Sequence, residues 1–299
     1  MNVSSIVRNN AAVDTMQGNF LVGWFDILGY KAIMDNNMSD SSMNCVVSNI
    51  SKAMYEATQS VKDIFDGIFK NTSDGDTEKN KITRIVLENI KNGEIFGCSA
   101  MSDTIVFKAR IDVDVNVQEE FEVFVQSVIC LFFLLCCSLI TYKMFMYGLP
   151  VRGAIDYGKC ATSRTGITKE SVVFMGKPFV NTHNTSDLLD FSGVTVCDNA
   201  VAVINSLKEK FKVKSGVDVF LIPAPVKGNN EATAYCLDWV GDDDVLSKST
   251  DLRSVIFEKF SRFNKPVSPK TISKFENTEM SIRTLNMMRA ESGKTEGVL

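Results

Sequence analysis

The chain has 299 residues, 45% of them hydrophobic and 23% charged, close to globular averages, which excludes a disordered or fibrous protein. That length supports one substantial core and excludes a small stapled scaffold. A formal net charge of -4 and a pI near 5.3 supply no global attraction to nucleic acid or anionic lipid, so no nucleic-acid or membrane partner is expected, while a local basic pocket for one triphosphate stays compatible.

Residues 1–18 read as a flexible N-terminal tail, polar and without periodicity over their first part. Order is expected from Asn19, where Asn19 to Asp26 (NFLVGWFD) forms a short apolar, aromatic-rich run stopped by Gly29. Such a run reads as a central strand buried on both faces. From Tyr30 to Phe69, Ile33, Val46, Val47, Ile50, Met54, Val61, Ile64 and Phe65 recur mostly at three- and four-residue intervals, as in two helices facing a core. Asn71 to Asn80 is a loop by composition, and Ile82 to Ile90 reads as a strand. Gly93 to Arg110 holds two β-prone runs around a small-residue turn, the pattern of a hairpin.

The segment Phe124 to Tyr142 carries an apolar stretch, Val128 to Cys137, shorter than the roughly 20 residues that a membrane helix needs. Gln126 and Ser127 precede it, and Ser138, Thr141 and Lys143 follow. It is expected to be a buried core helix, from about Val117 to Tyr147. Gly148 and Pro150 end that helix and release a strand, Val151 to Tyr157. A strand over Ser171 to Met175, a helix from Pro178 to about Leu189, a strand over Gly193 to Cys197 and a helix from Asn199 to Phe211 follow. Strands around Val219 to Ile222 and Thr233 to Val240 come next, then a helix with Leu252, Ile256, Phe260 and Phe263 on one side.

This order describes one α+β domain, a mixed or antiparallel sheet covered on one side by helices. It spans residues 19–240, and residues 241–299 form a C-terminal helical appendage beyond the acidic turn at Gly241 to Asp244. Eight cysteines show no paired metal-ligand spacing and no signal peptide is recognised. Reduced, mostly buried thiols in a cytoplasmic protein are expected.

A carboxylate at the end of a buried strand is costly unless cations or donors compensate it, which puts Asp26 near a cleft. Gly29 lets a triphosphate approach the backbone, although Asp26 reads equally well as a helix N-cap. Asp103 sits at the hairpin turn, where Asp is also an ordinary turn residue. If the two β segments are neighbours, both carboxylates lie at one sheet edge and suit two divalent ions roughly 3.5 to 4 Å apart. Such ions suit attack of a ribose 3′-hydroxyl on its own α-phosphate, and Mg²⁺ or Mn²⁺ fits a site without His or Cys clusters. Arg152 follows a Gly-Leu-Pro turn and can clamp phosphate oxygens, with Gly153 leaving room, or can be a surface arginine at a strand end. His183 is the single histidine, with no nucleophile motif around it, and reads as a helix-surface or core residue. Phosphate motifs of the P-loop or dinucleotide type are not found.

The run FDILGY (Phe25 to Tyr30) resembles the first metal-site motif of class III nucleotidyl cyclases. That resemblance implies a ferredoxin-like fold, Asp26 as metal ligand and the Ile27 carbonyl as a second metal contact. Ser102 and Asp103 stand where those enzymes place the second metal aspartate, and LPVRGAIDYG (Leu149 to Gly158) resembles the strand whose arginine contacts the triphosphate, here Arg152. Together FDILGY, SDTIVF, VRGAI, GKPFVNTHN, LIPAPVK and CLDWV are similar to the bacterial pyrimidine cyclases of Pycsar anti-phage systems, over roughly residues 20 to 240. The resemblance implies a homodimer with active sites between protomers, UTP or CTP as substrate, and a cyclic pyrimidine nucleotide that acts on a separate effector protein.

Nucleotide contacts are expected at Gly29, Tyr30, Ser99 and Lys177. Ser99 stands where purine cyclases carry a base-reading lysine or glutamate. The helix after Pro178 has Asn181 and Asn184 but no arginine, with Lys177 as a replacement for the usual transition-state pair. Two alternatives stand beside this reading: a catalytically silent cyclase-like domain that binds nucleotide and signals by dimerising, and a polymerase-palm relative, which the lack of a GGDEF-like turn disfavours.

Overall fold

The computed structural model describes residues 15–72, 95–112, 119–164, 172–211, 217–241 and 244–295. The expected strand over Ile82 to Ile90 lies outside them. In chain order the elements are β1 (Thr15–Ile27), α1 (Tyr30–Asn36), α2 (Asp40–Thr72), β2 (Phe96–Met101), β3 (Thr104–Arg110), α3 (Glu119–Met146), β4 (Val151–Arg164) and β5 (Val172–Gly176). There follow α4 (Lys177–Leu188), β6 (Gly193–Val196), α5 (Asp198–Phe211), β7 (Val219–Pro223), β8 (Thr233–Leu237), α6 (Asp244–Ser247), α7 (Leu252–Ser261) and α8 (Pro269–Thr295).

The strands join one eight-stranded sheet in the order β2-β3-β1-β4-β6-β8-β7, with β5 also on β4. Only the β4–β6 pair is parallel, so the fold is the expected α+β arrangement with a mostly antiparallel mixed sheet. Strand β1 begins at Thr15, before the expected Asn19. The cause is β4, which runs on to Arg164 and pairs with β1 continuously from Thr15 opposite Ser163 to Ile27 opposite Val151.

Alternation along β1 sends Leu21, Phe25 and Ile27 to one face and Phe20, Val22, Trp24 and Asp26 to the other. The first set joins the main core with Ile33 of α1, Ile105 of β3, Phe133 and Ile140 of α3 and Ile204 of α5. The second face is covered by α4, where Phe179 packs on Phe20, Val22 and Cys160. Helices therefore lie on both sides of the sheet, a correction to the expectation of one covered side. The reason is that β1, at the sheet centre, is apolar on both faces and needs two covers.

Helix α3 is apolar over most of its length, and residues Glu122–Met146 are long and apolar enough by composition to cross a membrane, with mean hydropathy 2.6, a correction to the expectation that the apolar stretch is too short. Here Ile129, Phe133, Cys137 and Met144 are wholly buried in the main core. A helix packed on several sides needs no polar stripe. The eight cysteines are free, as expected from their spacing. Burial pushes the Cys130 and Cys236 thiols up to about 12.

Helices α7 and α8 supply Ile256, Phe260, Ile282 and Leu285 to a second core that also holds Leu28, Phe145 and Trp239. Arg289 of α8 grips Asp238 in a two-pronged ion pair, Nε to Oδ2 at 2.8 Å and Nη2 to Oδ1 at 2.6 Å. Phe263, expected on the helix, lies beyond its end at φ 60, followed by Asn264 at φ 55. Two successive non-glycine residues in the left-handed region cost about 1–2 kcal/mol each, and Phe263 recovers part of this by packing against the main core.

Lys265, next in the chain, is only 8% exposed. Burial lowers its amine from the usual 10.5 to about 7. The folded value lies below the unfolded one, so between pH 7 and 10.5 the unfolded chain binds the extra proton and this residue makes stability rise with pH; below that window its penalty is constant. Thermal melts should accordingly find Lys265→Met more stable than the wild type at pH 7, with the gap narrowing as pH rises toward 10. A gap independent of pH would mean that the amine does not titrate in that range.

Candidate active site

Strand β1 sits between β3 and β4, and the register puts Asp26 opposite Thr104 on one side and Arg152 on the other. The β2–β3 turn is Ser102-Asp103, with Ser102 at φ 57. The Ile27 amide donates to the Asp103 carbonyl at 2.8 Å, and the Leu28 amide donates to the Pro150 carbonyl at 2.8 Å. These two bonds tie the end of β1 to the hairpin turn and to the turn before Arg152. Asp26, Asp103 and Arg152 are thus gathered at one end of the sheet.

The Asp26 side chain is 14% exposed. Its Oδ1 accepts from Trp24 Nε1 and Thr104 Oγ1, both at 3.0 Å, and its Oδ2 faces Arg152 Nη2 at 3.8 Å. Two donors on one oxygen fix the carboxylate and leave the other oxygen facing Arg152. Asp26 is not a helix N-cap: that position before α1 belongs to Gly29, at φ 75 and ψ 20, a conformation that glycine takes without strain. Among the described residues no hydrogen bond or ion pair engages the Asp103 carboxylate, so it is available to a cation. No cluster of three or more His, Cys, Asp or Glu side chains suited to a metal occurs among the described residues. Two carboxylates with a backbone carbonyl, completed by phosphate oxygens and water, are nevertheless an ordinary donor set for Mg²⁺.

Arg152 is more committed than its position in the sequence suggests. Its Nη1 donates to the carbonyls of Asp187 at 2.7 Å and Leu189 at 3.4 Å, and its Nη2 to Asp187 Oδ1 at 2.6 Å. The guanidinium thereby caps the carbonyl end of α4, where a cation is favoured. Lys227, in the β7–β8 turn, also donates to Asp187 Oδ1, at 3.1 Å. Lys227 first, then Arg152, holds the Asp187 carboxyl below its usual range. The room expected at Gly153 serves another side chain: a Cβ there would overlap the Phe25 ring and approach the Trp24 carbonyl to 2.9 Å.

Of the remaining candidates, Gly29 is exposed at the turn, while Tyr30 opens α1 with its ring partly buried against the main core. Ser99 pairs with Val106, which pairs with Trp24. It therefore lies on the Trp24 face, two strands and about 10 Å away. Lys177 is exposed at the start of α4, the end opposite Asp187, about 15 Å along the axis. Lys177 and Asp26 are not brought together within one chain. His183 is exposed on α4 with its ring 5.0 Å from that of Trp24, a helix-surface histidine as read.

Sequence reasoning missed Trp24 and Thr104 as donors to Asp26, and Asp187 and Lys227 as partners around Arg152. Asp156 was missed as well; it is fully buried and accepts from Tyr157 N and Asn181 Nδ2, both at 2.8 Å. Asn181 therefore anchors α4 to β4. The available signals were alternation, which puts Trp24 beside Asp26, and the Val-Lys-Gly turn around Lys227.

No family model matches the chain, and no curated relative matches it. Among solved structures it is similar to the adenylyl cyclase CyaB from P. aeruginosa, at 10% identity and a TM-score of 0.43, over 75% of this chain and 94% of that one. It is also similar to the guanylate cyclase domain of RhGC from Catenaria anguillulae in complex with GTP, at 12% identity and a TM-score of 0.36, over 74% and 97%. An adenylate cyclase from Trypanosoma brucei matches at 12% identity and a TM-score of 0.35, over 73% and 86%. At these scores and identities none of them carries an argument about activity, substrate or assembly.

Replacing Arg152 by Ala removes bonds to α4 and leaves Asp26 and Asp187 without that cation. Urea denaturation should find a loss of about 1.5–3 kcal/mol, the range for hydrogen bonds to charged groups. A loss under about 0.5 kcal/mol, usual for surface changes, would return Arg152 to an ordinary surface residue.

Proposed function

We propose that the chain is a metal-dependent nucleotidyl cyclase of the class III kind, converting UTP or CTP to the 3′,5′-cyclic nucleotide and pyrophosphate. The observation that carries this reading is the meeting of Asp26, Asp103 and Arg152 at one sheet end, with Asp26 oriented by Trp24 and Thr104 and the Asp103 carboxylate unengaged. Two Mg²⁺ or Mn²⁺ ions, held by Asp26, Asp103 and the Ile27 carbonyl, would supply acidification of the ribose 3′-hydroxyl and neutralisation of the leaving pyrophosphate.

The chain's own residues do the positioning. Gly29 and Tyr30 form the turn that approaches the triphosphate, with Gly29 free of a side chain on its exposed side. Arg152, with Lys227 beside it, offers positive charge for phosphate oxygens once Asp187 yields it. Ser99 offers a short hydroxyl toward the base in place of a long charged reader, which suits a pocket without the usual purine contacts. Exposed Met101, Val180 and Leu188 surround this face and fit a second copy of the chain, a homodimer in which Lys177 of one protomer serves the site of its partner. The product would act as a second messenger on a separate effector in anti-phage defence, in the cytoplasm.

A silent nucleotide-binding domain is the second reading. It is favoured by the engagement of Arg152 with Asp187 and by the distance of Lys177 from Asp26. Incubation of the purified chain with each ribonucleoside triphosphate and Mg²⁺ or Mn²⁺, with products identified by mass spectrometry, separates the two. Cyclic UMP or cyclic CMP is expected, and neither Asp26→Asn nor Asp103→Asn should turn over. Cyclic AMP or cyclic GMP as the main product would end the pyrimidine assignment; no product from any triphosphate would favour the silent domain.

A further inference from the structure

The segment Arg262 to Lys265, between α7 and α8, touches both turns that flank the candidate site. Asn37, buried at the end of α1, donates from Nδ2 to the Ile33 carbonyl at 2.8 Å and to the Phe263 carbonyl at 2.7 Å. Asn36 Nδ2 donates to the Asn264 carbonyl at 3.1 Å, and Asn264 Nδ2 returns a bond to Asn37 Oδ1 at 3.3 Å. On the other side Lys265 Nζ donates to the Gly148 carbonyl at 3.2 Å. Arg262 lies so close to Gly148, at φ 80, that a Cβ there would overlap it. The Lys265 stem runs under Gly29, where a Cβ would sit 3.4 Å from its Cδ.

These contacts reach the C-terminal end of α1 and two turns. One is Leu28-Gly29, between Asp26 and α1; the other is Gly148 to Pro150, between α3 and Arg152, and the Leu28 amide already bonds to Pro150. The contacts are made by consecutive residues with left-handed backbones and by a buried amine that no carboxylate pairs among the described residues. A strained backbone and a buried amine without a carboxylate partner among the described residues are features that stability alone does not retain, and they concentrate where geometry serves function.

We propose that Lys265, with the strap Arg262 to Asn264, is a positioning residue that locks the Gly29 and Gly148 turns together and so sets Asp26 and Arg152 for the reaction. The inference rests on the reading of those residues as a nucleotide site. It makes the C-terminal helices a structural condition for activity: α7 and α8 anchor the strap from both ends through the second core.

The test uses the full chain with Lys265→Met, which keeps the stem's packing and deletes the amine, and Asn37→Ala, which cuts the strap from α1. Hydrogen exchange is followed at the Leu28, Gly148 and Leu149 amides, alongside thermal melts and steady-state kinetics. In Lys265→Met these amides should exchange at least tenfold faster and kcat should fall at least tenfold with little change in KM, while Tm at pH 7 is raised. Asn37→Ala should show the same faster exchange at Leu28. A merely structural lysine would lower Tm and kcat together or leave kcat alone. Unchanged exchange in both variants, or faster exchange with wild-type kcat, overturns the proposal. If the wild type yields no product, the cyclase reading fails, and the exchange data alone decide whether the strap holds the turns.

Discussion

The register of β1 between its two neighbours is the constraint on which the rest depends. Side chains alternate with a period of two, so a slip of one residue would turn Asp26 into the main core and Phe25 toward the α4 side of the sheet. Both partners oppose such a slip. Strand β4 pairs along the whole of β1 and β3 along its C-terminal part, while Leu21, Phe25 and Ile27 fill one core as Phe20 and Val22 fill another. The carboxylate is thus placed by packing that has no chemical role. Burying Phe25 alone is worth about 2–3 kcal/mol, enough to hold a strand end that carries a charge.

Around that frame, function and stability pull in different directions. Asp26 is nearly buried, and Trp24 and Thr104 compensate one of its oxygens. Arg152 spends its donors on the end of α4, which stabilises the helix and also withholds the guanidinium from any ligand. A phosphate that competes with Asp187 gains a charged clamp but must offset the loss of those bonds. Lys265 is a second case, its buried ammonium opposing folding at neutral pH while its Nζ bonds to the Gly148 carbonyl.

What could be read from the sequence was local. The apolar run ending in Asp26, the turn at Asp103 and the strand after Pro150 each announce themselves within about ten residues, by periodicity and turn chemistry. Asp187 meets Arg152 from 35 residues away, and Asn37 meets Phe263 from 226 away. No local pattern encodes such meetings, so Asp187, Lys227 and Lys265 passed unnoticed. The free space at Gly153 was misread for a related reason: a glycine signals close approach, but only the fold says that Phe25 makes it. Placing helices on one face of the sheet conflicts with the two-sided burial that the run Asn19 to Asp26 already signals; that α4, through Phe179, is the second cover is set by the fold and not by any local pattern.

The central claim is that Asp26 and Asp103 form one cation site at the end of the sheet. Electron paramagnetic resonance titration of Mn²⁺ into the chain with a non-cyclisable UTP analogue tests it most directly. The account predicts bound Mn²⁺ in the wild type and at least tenfold weaker binding in both Asp26→Asn and Asp103→Asn, each still folded by circular dichroism. Mn²⁺ binding that is unchanged in either variant, or not detected in the wild type, would contradict it.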